Sequence, residues 1–282
     1  MTACIIDGKQ IAAKIRTDLK KKISLLNQEP HLAIVLVGED DSSLIYVRNK
    51  QKAATEIGIK TTLYHLNETT TEDKLLALVD RCNTDPTVNG IIVQLPLPAH
   101  INAHRIINCI SPLKDVDGFH PYNTGMLQNN EKPYFIAATP LGIMTLIKEV
   151  CADLRGKNVV IIGASLIVGR PLATLMLNQE CTVSITHIHT RNIQELTRKA
   201  DILVAACGVA KLVKADWIKN DSILIDVGIN RENGKICGDI DFDDVLEKAA
   251  AITPVPGGVG PMTIAMLLQN TYEAYLVQQS NL

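Results

Sequence analysis

Several features that would place the chain in a specialised class are scarce or absent. Its 282 residues include only 4% aromatic side chains, and 28 basic and 30 acidic residues give a net charge of −2. A domain that binds a nucleic-acid duplex usually has a basic excess on one face, so nucleic acid is not an expected partner. No internal repeat or low-complexity tract is visible, and the composition excludes disordered, collagen-like and coiled-coil chains.

Long apolar runs are also lacking. The longest nearly apolar stretch, residues 202–210, is far shorter than the roughly 20 residues that a membrane-spanning helix needs. The first residues, MTACIIDGKQ, lack the basic segment followed by an apolar one that marks a secretion signal. We therefore expect neither a membrane nor a secretion route.

Cysteine is present, but not in a pattern typical of disulfides or zinc. The seven cysteines are an odd number, and no two of them form a C-x-x-C pair. This pattern indicates free thiols in a reducing compartment and argues against a zinc site. The expectation is a cytoplasmic protein without a bound metal.

The composition that remains is that of a globular protein, with 46% hydrophobic and 21% charged residues. At roughly 150 residues per domain, the length predicts two domains. Helical and strand patterns alternate, and this order predicts an α/β fold with parallel sheets. The expected strands are 32–37, 61–66, 90–94, 158–162, 182–187, 202–205 and 222–227. The expected helices are 11–26, one capped by Ser42 or Ser43 and ending at Ile57, 71–82, 139–150, one after Val168, and 261–277.

Two segments rich in proline and glycine interrupt this alternation. Six prolines fall within residues 96–140, where we expect loops and a connection between domains. A second cluster, residues 253–261, precedes the last helix, and Pro261 suits the first turn of that helix.

The turn Gly163-Ala164-Ser165-Leu166-Ile167-Val168-Gly169 follows an apolar strand and precedes a helix. This order places backbone N–H groups and a helix N-terminus where a pyrophosphate can bind. The spacing departs from G-x-G-x-x-G, because Ser165 replaces the second glycine and the last glycine comes one residue late. By this motif alone, a nucleotide site and a structural turn remain alternatives.

The specificity of a nucleotide site is set about twenty residues further along the chain. There an NAD site has an acidic residue for the ribose hydroxyls, whereas this strand continues into His187-Ile188-His189-Thr190-Arg191. With no carboxylate and with Arg191 nearby, a 2′-phosphate is tolerated, so NADP is favoured over NAD. The alternative is that these are ordinary exposed loop residues.

A second group of candidates lies in the first half. Tyr46 and Lys50 are four residues apart and share one helix face, which is typical either of a cleft or of a solvated surface. Gln94 ends a buried strand at the edge where open α/β sheets bind ligands. A neutral amide there can orient an amine without holding it charged, which matters for proton transfer because an ordinary lysine has a pKa of about 10.4. The alternative for Gln94 is a buried amide that bonds to loop backbone.

Two further loops offer ligand contacts. Asp115 and Asp117 are either turn formers or carboxylates for a heterocycle that presents an amino group beside a ring N–H. Gly257, Gly258 and Gly260 allow backbone to approach a flat ligand closely.

Together these motifs resemble the bifunctional methylenetetrahydrofolate dehydrogenase/methenyltetrahydrofolate cyclohydrolase family. The resemblance spans nearly the whole chain, with its motifs in the same order. They are NTDPTVNGIIVQLPLP at 83–98, Tyr46 with Lys50, DVDGF at 115–119, GASLIVGRP at 163–171 and PGGVGPMT at 256–263.

The resemblance implies two α/β domains with a cleft between them and a homodimer. Residues 1–138, completed by the helix 261–282, would form the folate-binding catalytic domain, and residues 139–260 a Rossmann-type NADP domain. It also implies oxidation of 5,10-methylenetetrahydrofolate with NADP, hydrolysis of the methenyl product to 10-formyltetrahydrofolate, and a role in one-carbon metabolism and purine biosynthesis.

The resemblance further assigns residues to roles. Lys50 would be the central catalytic group, Gln94 would tune it, Tyr46 would pack on the folate rings and Asp117 would bind the pterin. The remaining substrate positions would be Val93, Leu95, Pro256, Gly257 and Gly258. The NADP positions would be Gly163, Ala164, Ser165, Thr190, Arg191 and Ile229.

The segment 137–142 departs from the family pattern. Ala137 and Ala138 stand where the family has Pro-Cys, and Leu141 stands where it has a basic residue. Two other classes remain open at this stage. One is an NADP oxidoreductase for a different small substrate, which would not explain Gln94 and Asp117, and the other is a silent nucleotide sensor, which would not need Lys50.

Overall fold

The computed structural model describes residues 2–232 and 234–280 and separates into two compact units. The three-stranded unit consists of Lys14–Ala138 and Ile264–Leu282, and the six-stranded unit consists of Met1–Ala13 and Thr139–Thr263. Residues 281 and 282 of the predicted segment 261–282 lie outside the described residues. The α/β class expected from the sequence is confirmed.

Helices and strands alternate along most of the chain. In chain order the strands are β1 (Cys4–Ile5), β2 (His31–Val37), β3 (Lys60–Leu66), β4 (Gly90–Val93), β5 (Asn158–Ile162), β6 (Thr182–Thr186), β7 (Ile202–Ala205), β8 (Ile223–Asp226), β9 (Asn230–Glu232), β10 (Lys235–Cys237) and β11 (Ala251–Ile252). The helices are α1 (Gly8–Ile23), α2 (Asp41–Ile57), α3 (Glu72–Thr84), α4 (Ala103–Cys109), α5 (Pro121–Gln128), α6 (Ala138–Val150), α7 (Gly169–Leu177), α8 (Ile193–Thr197), α9 (Phe242–Val245) and α10 (Val259–Ser280).

The sheet of the three-stranded unit is parallel, with the strand order β3-β2-β4. All seven residues of the central strand β2 are buried, as expected for a strand covered on both faces. One side of the sheet packs on α3 and α4, where Val35, Leu75, Ile91 and Ile106 belong to one apolar cluster. This packing holds the carboxyl ends of β2 and β4 side by side.

The sheet of the six-stranded unit is also parallel, with the order β1-β11-β8-β7-β5-β6. The chain runs from β5 outward to β6 on one side and then returns to β7 on the other side of β5. The carboxyl ends of β5 and β7 therefore form a topological switch point, which is where open α/β sheets bind ligands. A short antiparallel hairpin of β9 and β10 follows β8.

The structure differs from the predicted domain division at the N-terminus. The predicted first domain includes residues 1–13, whereas the described part of this segment, residues 2–13, belongs to the six-stranded unit. The physical reason is the pairing of β1 with β11, in which Cys4 is opposite Ala251. A strand of two residues is too short to show a periodic pattern.

Two local expectations also need correction. Asp40, rather than Ser42 or Ser43, caps α2, because its side chain accepts a hydrogen bond from the Ser43 backbone N–H at 2.8 Å. Residues 96–140, expected to be loops, contain the helices α4 and α5. Their N-caps, Asn102 and His120, accept backbone hydrogen bonds, and Pro121 occupies the first position of α5.

Candidate functional site

Lys50 and Gln94 come together at the carboxyl edge of the three-stranded sheet. Lys50 lies on α2 with only 8% of its surface exposed, and its Nζ donates a hydrogen bond to Gln94 Oε1 at 3.0 Å. Gln94 directly follows β4, and its backbone N–H donates to Val35 O at 2.8 Å, which continues the sheet register. Its Nε2 donates to Leu95 O at 2.7 Å, so the amide oxygen is the atom left for the lysine.

Tyr46 lies one helical turn before Lys50 on the same helix. Its side chain is half-buried, and burial raises the pKa of its phenol. The ring therefore stays neutral and offers an apolar face with a polar end, which suits contact with a flat ligand.

Asp117 places an acidic side chain near Lys50. Burial raises the pKa of the Asp117 carboxyl, while the positive charge of Lys50 opposes that rise. Within the described residues, no hydrogen bond engages the Asp117 carboxylate. Lys50, Gln94 and Asp117 therefore form one group of polar side chains, which we call the lysine cluster.

Asp115 has a different environment, although the sequence presents it as equivalent to Asp117. Its Oδ1 accepts from Phe119 N at 3.2 Å, and its Oδ2 accepts from His120 N at 2.8 Å and from Asn123 Nδ2 at 2.9 Å. Burial raises the pKa of Asp115 to about 7. Asp115 thus shapes its own loop, and Asp117 is the carboxylate left for a ligand.

Asn270 of α10 fixes the backbone around Asp117 and was not singled out from the sequence. Its buried side-chain Nδ2 donates to Val116 O at 2.8 Å and to Ile136 O at 2.9 Å. Gly118 packs so tightly that a Cβ there would lie 2.4 Å from Ala137 N. Val116 and Gly118, the two neighbours of Asp117, are therefore both held next to residues 136–137. The sequence signal for Asn270 is weak, because α10 contains other polar residues, such as Gln269 and Thr271, on either side of it.

The glycine turn lies at the switch point of the six-stranded sheet. Gly163 follows β5 with φ +116°, and a Cβ there would lie 2.1 Å from Ala206 O. Ser165 Oγ accepts from Val168 N at 3.1 Å and Gly169 N at 3.3 Å, at the start of α7. The serine in place of the second glycine thus orders the turn that leads into the helix.

The segment after β6 forms a short turn. His187 N donates to Thr190 Oγ1 at 3.0 Å, which closes a short turn, and Arg191 is exposed. No carboxylate occurs between Thr186 and Asn192. A glycine turn at the switch point, a helix N-terminus and this segment together fit a dinucleotide with a 2′-phosphate.

The glycine cluster near the start of α10 belongs to the six-stranded unit. Gly257 O accepts from Lys9 N at 2.8 Å, and a Cβ on Gly8 would lie 1.9 Å from Gly258 O. Residues 256–258 are therefore tied to the start of α1. Ile229, the last predicted nucleotide contact, is 54% exposed after β8.

Other kinds of site find no support in the described part of the chain. Residues 2–232 and 234–280 contain no group of three His, Cys, Asp or Glu side chains that could hold a metal ion. The same residues include no helix with the length and apolar character needed to cross a bilayer.

The fold and these groups define a class of protein. The six-stranded unit is a Rossmann-type dinucleotide-binding unit, and the three-stranded unit carries a buried lysine beside a neutral amide and a carboxylate. The chain is thus an α/β protein of the class that pairs a dinucleotide-binding fold with a second α/β unit, which here carries a buried lysine hydrogen-bonded to an amide.

Comparison with known proteins identifies the family. Residues 6–117 match the family model described as tetrahydrofolate dehydrogenase/cyclohydrolase, catalytic domain, and residues 137–279 match the NAD(P)-binding domain of the same family. The bifunctional protein FolD of Aquifex aeolicus is 52% identical over 277 residues, which cover 97% of this chain and 95% of that protein. The chain belongs to the tetrahydrofolate dehydrogenase/cyclohydrolase family.

Solved structures agree over the full length. The crystal structure of the bifunctional enzyme FolD from Campylobacter jejuni has a TM-score of 0.96 and 49% identity, covering 99% of this chain and 100% of that one. The FolD of Trypanosoma brucei, solved in complex with NADP cofactor and inhibitor, has a TM-score of 0.94 and 36% identity, with 98% of each chain covered.

Proposed function

We propose that the chain catalyses two successive reactions of folate one-carbon units. In the first, 5,10-methylenetetrahydrofolate loses a hydride to NADP and becomes the 5,10-methenyl cation. In the second, water adds to this cation, a proton leaves and the ring opens to 10-formyltetrahydrofolate. Family membership supports the pair of activities, and the Lys50–Gln94 contact at 3.0 Å is the observation that carries the assignment to this site.

Lys50 is the proposed proton-handling group. Addition of water to the methenyl carbon requires that a proton be taken up and later returned, and a buried amine at the sheet edge suits this role. Gln94 orients the amine through its neutral amide oxygen, which accepts a hydrogen bond from Lys50 Nζ. Hydride transfer itself makes no such demand on a side chain.

Tyr46, Asp117 and the backbone near Gln94 are the proposed folate contacts. Asp117 accepts hydrogen bonds from the amino and ring N–H groups of the pterin, because its carboxylate is not used within the loop. The Tyr46 ring packs on the aromatic part of the substrate. Val93 and Leu95 are proposed as further folate contacts of the three-stranded unit, and a folate-binding role for Pro256, Gly257 and Gly258 stays a prediction from the family resemblance.

NADP, when bound, supplies a nicotinamide ring that accepts the hydride. The residues proposed to hold it are Gly163, Ala164, Ser165, Thr190, Arg191 and Ile229. Close packing of Gly163 on Ala206 leaves the backbone free of side chains at the switch point, which suits a pyrophosphate. Arg191 is the proposed partner of the 2′-phosphate.

The division of labour follows from these positions. The predicted division gives residues 1–138 with 261–282 to the folate domain and residues 139–260 to the NADP domain. We propose this division with two changes: residues 1–13 join the NADP domain, because β1 pairs with β11, and that domain extends to Thr263. A homodimer, a cytoplasmic location and a role in purine biosynthesis complete the proposal. Light scattering of the purified protein tests the dimer.

One assay tests both activities. Purified protein is mixed with 5,10-methylenetetrahydrofolate and either NADP or NAD, and the absorbance of reduced nucleotide and of the methenyl compound is followed separately. We expect reduced nucleotide to form with NADP in preference to NAD, and added methenyl compound to disappear without nucleotide. Formation of reduced nucleotide without methenyl hydrolysis would limit the protein to the first reaction.

A further inference from the structure

Two buried carboxylates lie beneath the loops that follow β7 and β8. Asp239 is fully buried, and its Oδ2 accepts hydrogen bonds from Cys207 N at 2.7 Å and Gly208 N at 2.9 Å. Its Oδ1 accepts from Asn230 Nδ2 at 2.8 Å. One carboxylate therefore joins the segment after β7 to the segment after β8.

Asp226, the last residue of β8, holds Asp239 in place. Its Oδ1 accepts from Asp239 N at 2.9 Å and Gly228 N at 3.0 Å, and its Oδ2 accepts from Ile240 N at 2.9 Å. Every one of these donors is a backbone N–H. The two aspartates thus form a chain of hydrogen bonds in which the Asp226 carboxyl fixes the backbone of Asp239 and the Asp239 carboxyl fixes Cys207 and Gly208.

Two glycines make room for the carboxylates. A Cβ on Gly228 would lie 2.1 Å from Asp239 Oδ1, and a Cβ on Gly238 would lie 1.9 Å from Asp226 Oδ2. Neither glycine has a positive φ, so glycine is needed at these positions for lack of space and not for backbone conformation. The backbone therefore approaches both carboxylates more closely than any other residue type would allow.

The segments that Asp239 joins border the switch point. Ala206, just before Cys207, presents the carbonyl oxygen against which Gly163 packs, and its N–H donates to Ile162 O at 2.8 Å. On the other side, Ile229 lies between Gly228 and Asn230, which contact Asp226 and Asp239 respectively. Asp239 therefore contacts both the segment after β7 and the segment after β8, next to the carboxyl ends of β5, β7 and β8.

We propose that Asp239, anchored by Asp226, is a positioning residue for NADP, because its carboxylate sets the backbone at 206–208 and the placement of Ile229. This inference rests on the proposed function, since it takes the switch point to be the NADP site. Burial of a carboxylate is costly unless hydrogen bonds compensate, and here three donors converge on one group.

The experiment compares Asp239→Ala, Asp239→Asn and Asn230→Ala with the wild type. Asp243→Asn serves as a control, because it removes the same charge from an exposed side chain nearby. Calorimetric titration with NADP gives Kd, and hydrolysis of the methenyl substrate without nucleotide reports on the rest of the protein. Thermal unfolding of each variant is measured in parallel.

We expect Asp239→Ala to raise the Kd for NADP by about tenfold or more, with methenyl hydrolysis within about twofold of wild type. Asp239→Asn, which keeps an oxygen for Cys207 and Gly208, should raise Kd less. Asn230→Ala should raise it by roughly two- to fivefold, because one of the three donors is lost. Asp243→Asn should leave Kd unchanged.

Three results would overturn the inference. The first is wild-type affinity for NADP in a folded Asp239→Ala protein, and the second is a loss of methenyl hydrolysis equal to the loss of NADP affinity, which would make Asp239 a general structural residue. The third result applies if neither Asp239→Ala nor Asp239→Asn folds, and it is an unchanged Kd for NADP in Asn230→Ala. A wild-type protein that binds no NADP would instead refute the proposed NADP site, and this inference with it.

Discussion

The candidate site of one unit consists of side chains, whereas that of the other consists mainly of backbone groups. In the three-stranded unit, the groups at the sheet edge are side chains, with the buried Lys50 amine 3.0 Å from the Gln94 amide and the Asp117 carboxylate near its charge. In the six-stranded unit, the groups at the corresponding sheet edge are backbone atoms, because Gly163 has no side chain and packs on Ala206. The nearby Asp239 carboxylate is buried and accepts hydrogen bonds from backbone N–H groups.

This difference agrees with what the proposed ligand of each unit requires. Proton transfer needs a group that changes its charge, and only side chains provide one. A pyrophosphate needs several N–H donors at fixed positions, and glycine-rich backbone at a helix N-terminus provides these. Buried acids occur in both units, yet Asp115, Asp226 and Asp239 all bond to loop donors, whereas Asp117 does not.

The largest expected effect tests the side-chain half of this comparison. Lys50→Met should lower methenyl hydrolysis by about 10² to 10⁴-fold, the usual cost of losing a general acid–base group, while hydride transfer falls less. Lys52→Met, on the exposed part of the same helix, is the matched control and should retain both activities. Parallel assays of the two reactions decide the matter, and equal losses would reduce Lys50 to a purely positional role.

The next effect concerns the folate contact. Asp117→Ala should weaken folate binding by about 1.5–3 kcal/mol in both reactions, because a hydrogen-bonded charge is lost from one shared pocket. NADP affinity measured without folate should not change, and Asp73→Ala, an exposed acid of the same unit, should be silent. If one activity were spared, the two reactions would require separate folate sites.

A pH series compares the buried acids. Burial raises the pKa of Asp115 to about 7, above the value of roughly 4 in an unfolded chain. The folded state therefore binds more protons between those values, so stability falls as pH rises through this window and is constant above it. From pH 5.5 to 8, Asp115 should lower the free energy of unfolding by an amount on the order of 2 kcal/mol.

Urea unfolding of the wild type and Asp115→Asn at both pH values measures this loss. The variant should lack the contribution of Asp115 to the pH dependence, so its free energy of unfolding should change less between the two pH values. A variant with the full pH dependence would show that the three donors to Asp115 outweigh burial. Asp226, whose pKa burial also raises to about 7, should behave alike in the six-stranded unit.

The smallest effect concerns a side chain at the backbone-built site. Arg191→Ala should raise the KM for NADP by roughly tenfold, the cost of one charge-assisted hydrogen bond, and leave the KM for NAD nearly unchanged. Arg198→Ala, an exposed arginine of the same unit, is the control. Steady-state rates with each nucleotide provide the test, and a matching rise for both would mean that Arg191 does not contact the 2′-phosphate.

Local patterns predicted much of the architecture. The strand at 32–37 appears within one residue of its expected bounds, and the helix α2 ends at Ile57 as expected, because a buried run and a glycine in the left-handed conformation at Gly58 are local signals. The nearness of Lys50 and Gln94 followed as well, since a helix and a neighbouring strand of one parallel sheet meet at its carboxyl edge.

Other features have no local signal. The strand β1 is two residues long and pairs with β11, some 247 positions later, so the membership of residues 1–13 depends on a partner that no nearby residue indicates. Asn270 contacts Val116, which is 154 positions away, and Asp239 contacts Cys207 across 32 positions.

The sequence alone determined the alternation of helices and strands, the two-unit organisation and the residue types at the sheet edges, because periodicity, caps and glycine turns act over a few residues. The local pattern left Asp115 and Asp117 equivalent and the family resemblance selected Asp117, but only the tertiary structure shows the physical reason, with Asp115 bonded to its own loop and Asp117 beside Lys50. It also decided that Asp239 supports the segment next to the glycine turn. The physical reason is that burial and hydrogen-bond partners come from segments far apart in the chain, and a carboxylate's role depends on which donors reach it.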